Sequence, residues 1–224
     1  MRAVVGVTDN NWADYLRARP MLTEANFWLP SAKSSFRALS TGQPFLFKTH
    51  HPQNRLVGGG FFSGFSRLTI QEAWALYGEA NGVPSLEVFT QRIASYRRET
   101  PDARAEIGCV LLRNLFFAAA DETLPAPADF APNIVRFKGY DLAAGSPIEE
   151  TLVQLLSSSG VRVDEPDEHS VVPGNVYGLP RLTSPRVGQQ AFKALVLTGY
   201  HRRCAITGNK VKPVLQAAHI KPIS

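Results

Sequence analysis

The sequence predicts an α+β protein: a small curved sheet closed as a β-barrel with flanking helices, followed by a linker and a short basic segment built on a hairpin. Three observations predict it. Short runs rich in β-branched and aromatic residues recur at 2–8, 44–49, 54–62 and 107–117, as strands require. Stretches 70–79 and 86–98 place Ala73, Trp74, Tyr77 and then Phe89, Ile93, Tyr96 at helical spacing, behind Thr69 and Ser85, which can cap a helix N-terminus. Gly58, Gly59 and Gly60 fall inside a strand run, where glycines mark a bulge, a barrel corner or a close approach to the backbone.

Taken in order, residues 2–8 form the first strand, and Asp9 or Asn10 caps a short helix carrying Trp12, Tyr15 and Leu16 on one side. Residues 24–31 set the pair Phe27-Trp28 between polar groups and a proline, and a short helix is expected over 34–40. Thr41-Gly42-Gln43 turns into the strand at 44–49, and the glycine-bearing strand at 54–62 follows it. The two capped helices and the strand at 107–117 complete the sheet. Residues 124–132 are punctuated by prolines and cannot continue a helix. A short amphipathic helix over 149–157 ends in Ser157-Ser158-Ser159-Gly160. The expected domains are therefore 1–137 for the barrel, 138–185 for an acidic linker with a short helix, and 186–224 for the basic segment.

A chain of 224 residues with 44% hydrophobic content can bury one full domain and part of a second. Its net charge of +5 is unevenly spread: 141–170 holds seven acids against Arg162, whereas 186–224 holds seven lysines and arginines and no acid. Such asymmetry suits a linker that shields the basic part until nucleic acid displaces it, or a plainly solvated acidic linker. Cys109 and Cys204 have no Cys-x-x-Cys spacing, which excludes a disulfide framework and a zinc knuckle. The apolar start is broken early by Asp9-Asn10-Asn11, and no run reaches transmembrane length, so a cytoplasmic location without a membrane partner is expected.

Segment 186–224 reads as a helix over 189–199, a basic turn at His201-Arg202-Arg203, a strand over 204–207, a Gly208-Asn209 turn and a second strand over 214–220. A Gly-Asn turn fixes which side chains face each other across a hairpin. His219, at the end of an apolar strand, suits a general base, because imidazole titrates near neutral pH. Phosphodiester hydrolysis needs such a base and a divalent metal for the leaving oxygen. The basic surroundings favour a polyanion. A strand-end histidine is also an ordinary structural residue, and a basic tail is often only solvated.

The string YHRRCAITG followed by VLQAAHIKP resembles the first half of the HNH endonuclease motif of the bacterial restriction type, over about forty residues. The resemblance implies the start of a ββα-metal module acting on double-stranded DNA, with His219 as general base, magnesium as the divalent cofactor, and Arg202, Arg203 and Lys212 on the phosphate backbone. The asparagine, second histidine and acid of that motif would follow Ser224, so no metal ligand is expected within 1–224. The chain is accordingly expected to be a fragment that does not cleave DNA. Double-strand cutting by a one-site nuclease calls for two copies, so a homodimer is allowed for, although no coiled-coil pattern is present.

The order of strand, Trp-bearing helix, NFWLPS, GQPFLFK, RLVGGGFF and a late strand resembles the PUA-like superfamily, which includes EVE, YTH and ASCH domains, over residues 1–137. That resemblance implies nucleic-acid binding with a modified base held in an aromatic pocket. A base taken out of its stack needs aromatic faces and polar groups to read its edge. Asn26, Phe27, Trp28, Ser31, Lys48 and Thr49 supply both kinds, with Trp28 and Asn26 the leading pair. Two functions stay open: a modification-dependent HNH restriction endonuclease, and a non-catalytic PUA-like reader of modified DNA or RNA.

Overall fold

The computed structural model describes residues 1–31, 33, 35–159, 189–204, 207, 208 and 210. Its elements are β1 (Arg2–Thr8), α1 (Asn10–Arg17), β2 (Glu24–Leu29), β3 (Pro44–Thr49), β4 (Arg55–Thr69), α2 (Ile70–Tyr77), α3 (Leu86–Arg97), β5 (Glu106–Phe117), β6 (Leu124–Pro125), β7 (Phe137–Asp141), α4 (Pro147–Ser158) and α5 (Gln189–Gly199), with a 3₁₀ turn at Gly78–Asn81. The fold is α+β around one mixed sheet. Strand order is β2-β5-β4-β3-β1-β7, with β6 added to β4; β1 and β3 are parallel and the other pairs antiparallel.

The first three helices follow from local chemistry. The Asp9 carboxylate accepts the Asn11 amide at 2.8 Å and starts α1. Thr69 and Glu72 form a reciprocal capping box on α2, and Ser85 accepts from Val88 at the start of α3. Residues 24–29, expected only as an aromatic cluster, are a strand, and the glycine-bearing strand runs on to Thr69 instead of stopping at Phe62. Its register shifts between Gly59 and Phe61 and again between Phe62 and Gly64. Bulges let so long a strand bend over the core.

Hydrogen bonding does not close the expected barrel: among the described residues β2 and β7 are the free ends of an open path. Aromatic rings fill the concave side instead. Phe27 of β2 reaches Phe45 and Phe47 of β3, at 4.8 Å and 6.5 Å between centroids, although two strands separate them in the sheet. The helix expected over 34–40 is absent from the described residues there; Phe36 is buried against Phe45, Phe62 and Phe137, so packing outweighs helix propensity in that stretch.

Strand alternation sorts the core into two clusters. Val4, Phe45, Phe47 and Val57 face the cluster shared with α1–α3, and Ala3, Val5, Leu46 and Leu56 face one that includes Ile148 and Leu155 of α4. The sheet is thus covered on both faces. Beyond residue 137, β7 pairs with β1 out to Asp141 and α4 packs on the same sheet. No helix among the described residues is long and apolar enough to cross a membrane.

Candidate nucleic-acid interface

A pocket of about 460 Å³ opens at the carboxyl ends of β1 and β2, between the start of α1 and the end of α3. Its aromatic wall is Trp12, Phe27, Trp28 and Tyr96. Trp28 sits on the α3 side of β2, where its indole N–H donates to the Asn81 carbonyl at 3.1 Å and its ring packs against Phe89 and Tyr96 at 5.8 Å and 5.7 Å. Phe27 points to the opposite face, edge-on to Trp12 at 5.5 Å. The two rings therefore approach the pocket from different packing environments, each held rigidly.

Three of the polar groups, Asp9, Tyr96 and Arg97, are held by hydrogen bonds. The Asp9 carboxylate accepts from the Asn11 amide and, at 3.3 Å, from the Tyr96 hydroxyl. Burial, and then the Asp9 charge and hydrogen bond, hold the Tyr96 phenol above its ordinary range, so it is a neutral donor. Arg97 spans the mouth by donating to the Pro30 carbonyl and to the Glu106 carbonyl, which ties the end of α3 to the ends of β2 and β5. Thr8, Ser31, His50 and Arg136 complete the polar lining. Val135, 76% exposed, and Tyr96, 52% exposed, present apolar surface at the rim.

Of the residues expected to bind nucleic acid in this domain, Phe27, Trp28 and Ser31 line the pocket and Asn26, Lys48 and Thr49 do not. Asn26, fully buried, donates to Asn81 Oδ1 at 2.9 Å and Cys109 Sγ at 3.4 Å. Asn81 in turn donates to the Ala73 and Gly78 carbonyls. The pair joins β2 to the α2 turn. Asn26→Ala is therefore expected to lower stability by about 2–3 kcal/mol, through a lost buried hydrogen bond and a small void, and thermal melting checks it. Alternation along β3 puts Phe47 inside and Lys48 on the other face, where its ammonium donates to the Thr49 carbonyl and to Asn54 Oδ1 and lies over the Phe130 ring. Burial there lowers the Lys48 pKa. The Thr49 hydroxyl accepts the Arg55 amide at 2.9 Å.

In the C-terminal part, His201-Arg202-Arg203 form the expected turn after α5. Arg203 is exposed, whereas Arg202 pairs with Glu72. The described ends of the strand expected at 204–207 are not strand: the Gly208 amide donates back to the Cys204 carbonyl, a turn. Lys212, His219 and the second strand of the hairpin lie outside the described residues. Among the described residues no three His, Cys, Asp or Glu side chains cluster as metal ligands, so these residues offer no donor set for the magnesium that the HNH resemblance implies. Cys109 is buried, which pushes its thiol up to about 12, and neither cysteine is in a disulfide.

By sequence the chain matches no known family and no curated protein. In three dimensions it is similar to the crystal structure of ASCH from Zymomonas mobilis. The identity is 13% and the TM-score 0.42, over 69% of this chain and 94% of that one. Two single-residue mutants of the same protein overlay equally, at 13% identity and TM-scores of 0.42 and 0.43. No residue role is carried across at that distance.

Residues 8, 9, 12, 50, 96, 97 and 136 were not legible as site residues, because they reach the pocket from four separate segments. The usable signals were the aromatic character of residues 27 and 28 and the hydroxyl of Ser31 beside them.

Proposed function

We propose that residues 1–159 form a non-catalytic reader that accepts one nucleobase, taken out of its stack, in the pocket walled by Trp28. The supporting observation is the pocket itself. It is within the roughly 300–1,000 Å³ of small-ligand sites, it has packed aromatic faces, and Asp9, Tyr96 and Arg97 in its lining are held by hydrogen bonds. Stacking on such faces replaces what an extruded base loses. Residues 1–159 carry fifteen basic and fifteen acidic residues, so the domain has no net pull on phosphate. Discrimination by shape and hydrogen bonding is what this charge balance favours, with long-range attraction left to the basic residues that follow.

The test is fluorescence anisotropy of the chain with duplexes and single strands that differ only at one base: plain, methylated or hydroxymethylated cytosine, at two salt concentrations. A preference for one of them that persists at the higher salt supports the reading. Equal and steeply salt-dependent binding to all would overturn it, because only the basic end would then be touching the nucleic acid.

A second reading, favoured by the sequence from Tyr200 to Pro222, makes this domain the reader of a modification-dependent HNH endonuclease. His219 would serve as general base, magnesium as the charge-stabilising ion, and Arg203 and Lys212 as phosphate contacts. Nicking of supercoiled plasmid with magnesium present, lost in His219→Ala, would support this second reading, and an intact plasmid would count against it.

A further inference from the structure

Helix α5 is anchored to the sheet domain along its whole length. At its start the Glu24 carboxylate, only 6% exposed, accepts the Gln190 and Ala191 amides at 3.4 Å and 3.2 Å, where a negative charge complements the helix dipole. Ala191 and Ala194 are buried, and Leu195 lies against Gly64 so closely that a Cβ there would meet its methyls at 2.9 Å. The Thr198 and Ser66 hydroxyls share a hydrogen bond of 2.7 Å. Ala, Leu and Thr at these positions thus run α5 alongside the bulged half of β4.

The end of the helix is less ordinary. The Arg202 amide bonds the Leu197 carbonyl at 2.7 Å and the His201 amide bonds the Thr198 carbonyl at 3.0 Å, the pattern of a Schellman cap. Glycine usually takes the left-handed position in that cap, yet here His201 and Arg202 have φ of 51° and 57°. Side-chain-bearing residues disfavour this backbone, so something must hold it. Arg202 supplies that hold: its Nε lies 2.8 Å from Glu72 Oε1, its Nη2 donates to Oε2 at 2.9 Å and also to the Arg67 carbonyl at 3.3 Å. The pair is two-pronged and Glu72 is only 14% exposed, the geometry in which an ion pair contributes most. The same carboxylate caps α2 through the Thr69 amide.

We propose that α5 is a fixed arm of the sheet domain and that Arg202 is its latch to α2. The chain beyond residue 204 then leaves the domain at a set position relative to the Trp28 pocket, and Arg202 is withheld from phosphate, whereas exposed Arg203 is available to it. This assignment does not depend on what the pocket binds.

Limited trypsin digestion of the full chain tests it, read at Lys193 in the middle of α5, because cleavage there requires the helix to undock or open. Arg202→Gln and, separately, Glu72→Gln remove the ion pair, and the glutamine at 72 keeps an oxygen for the Thr69 amide so that α2 stays capped. Both variants are expected to be cut at Lys193 about tenfold faster than the parent, the usual scale for losing a partly buried two-pronged pair. Arg202→Gln is also expected to leave the salt dependence of duplex binding unchanged, since a true phosphate contact would take about one unit from that slope. Cleavage at the parent rate in both variants, or a slope reduced by about one in Arg202→Gln, overturns the latch.

Discussion

On the proposed reading, Trp28→Ala is expected to abolish base discrimination while leaving unchanged the salt-sensitive attraction that the basic C-terminal residues would supply. Loss of one stacking face costs about 1–3 kcal/mol per base, which is a factor of about 5 to 150 in affinity for the preferred ligand and nothing for ligands that never enter the pocket. The same change also touches the fold. Trp28 is 9% exposed and packs on Phe89 and Tyr96, and its indole N–H is the partner of the Asn81 carbonyl. Truncating so large a buried ring costs about 3–5 kcal/mol. Binding must therefore be measured well below the variant's melting temperature, beside Asn26→Ala, which loosens the same β2–Asn81 junction without lining the pocket. If Asn26→Ala keeps the preference and a folded Trp28→Ala loses it, the effect belongs to the pocket wall. Equal loss in both would mean that stability, not stacking, was being read, and parental discrimination in a folded Trp28→Ala would remove the pocket from the proposal.

How much of this could be read in advance depends on whether the determining interaction is local. Caps are local: Asp9, Thr69 with Glu72, and Ser85 lie within three residues of the amides they bind, so α1–α3 were legible almost to their ends. The triple glycine was a sound sign of a bulge for the same reason. Strand β2 was not, since all six of its residues are buried and a strand covered on both faces shows no alternation. Lys48 and Thr49 looked like pocket residues from their chemistry, but a one-residue step along a strand changes the face, and only the parallel pairing of β1 with β3 decides which face that is. The polar half of the pocket, from Asp9 to Arg136, is assembled by topology alone.

Gly58 is where that topology is most exposed to a single substitution. It lies between Phe47 of β3 and Phe117 of β5, beside the register shift at Phe47 and Lys48, with φ of 156°. A Cβ there would sit 2.2 Å from the Phe116 carbonyl oxygen and 3.0 Å from the Phe117 Cα. These are backbone atoms of the neighbouring strand, so no rotamer change relieves the clash. Gly58→Ala is expected to cost more than about 4 kcal/mol, the range reserved for strain at a special backbone position, and to lower the melting temperature by roughly 10 °C or more. Gly42→Ala is the matched control. Its φ of 84° is also unfavourable, but no atom lies within 4 Å of the added Cβ, so only the backbone term remains, about 1–3 kcal/mol. A clear gap between the two melting curves would locate the cost in the close approach of β4 to β5, the contact that lets the sheet curl until Phe27 meets Phe45. Equal, small shifts would mean that β5 can move away from the added methyl, and that the curvature which positions the Trp28 pocket is imposed elsewhere, by the bulges between Gly59 and Gly64.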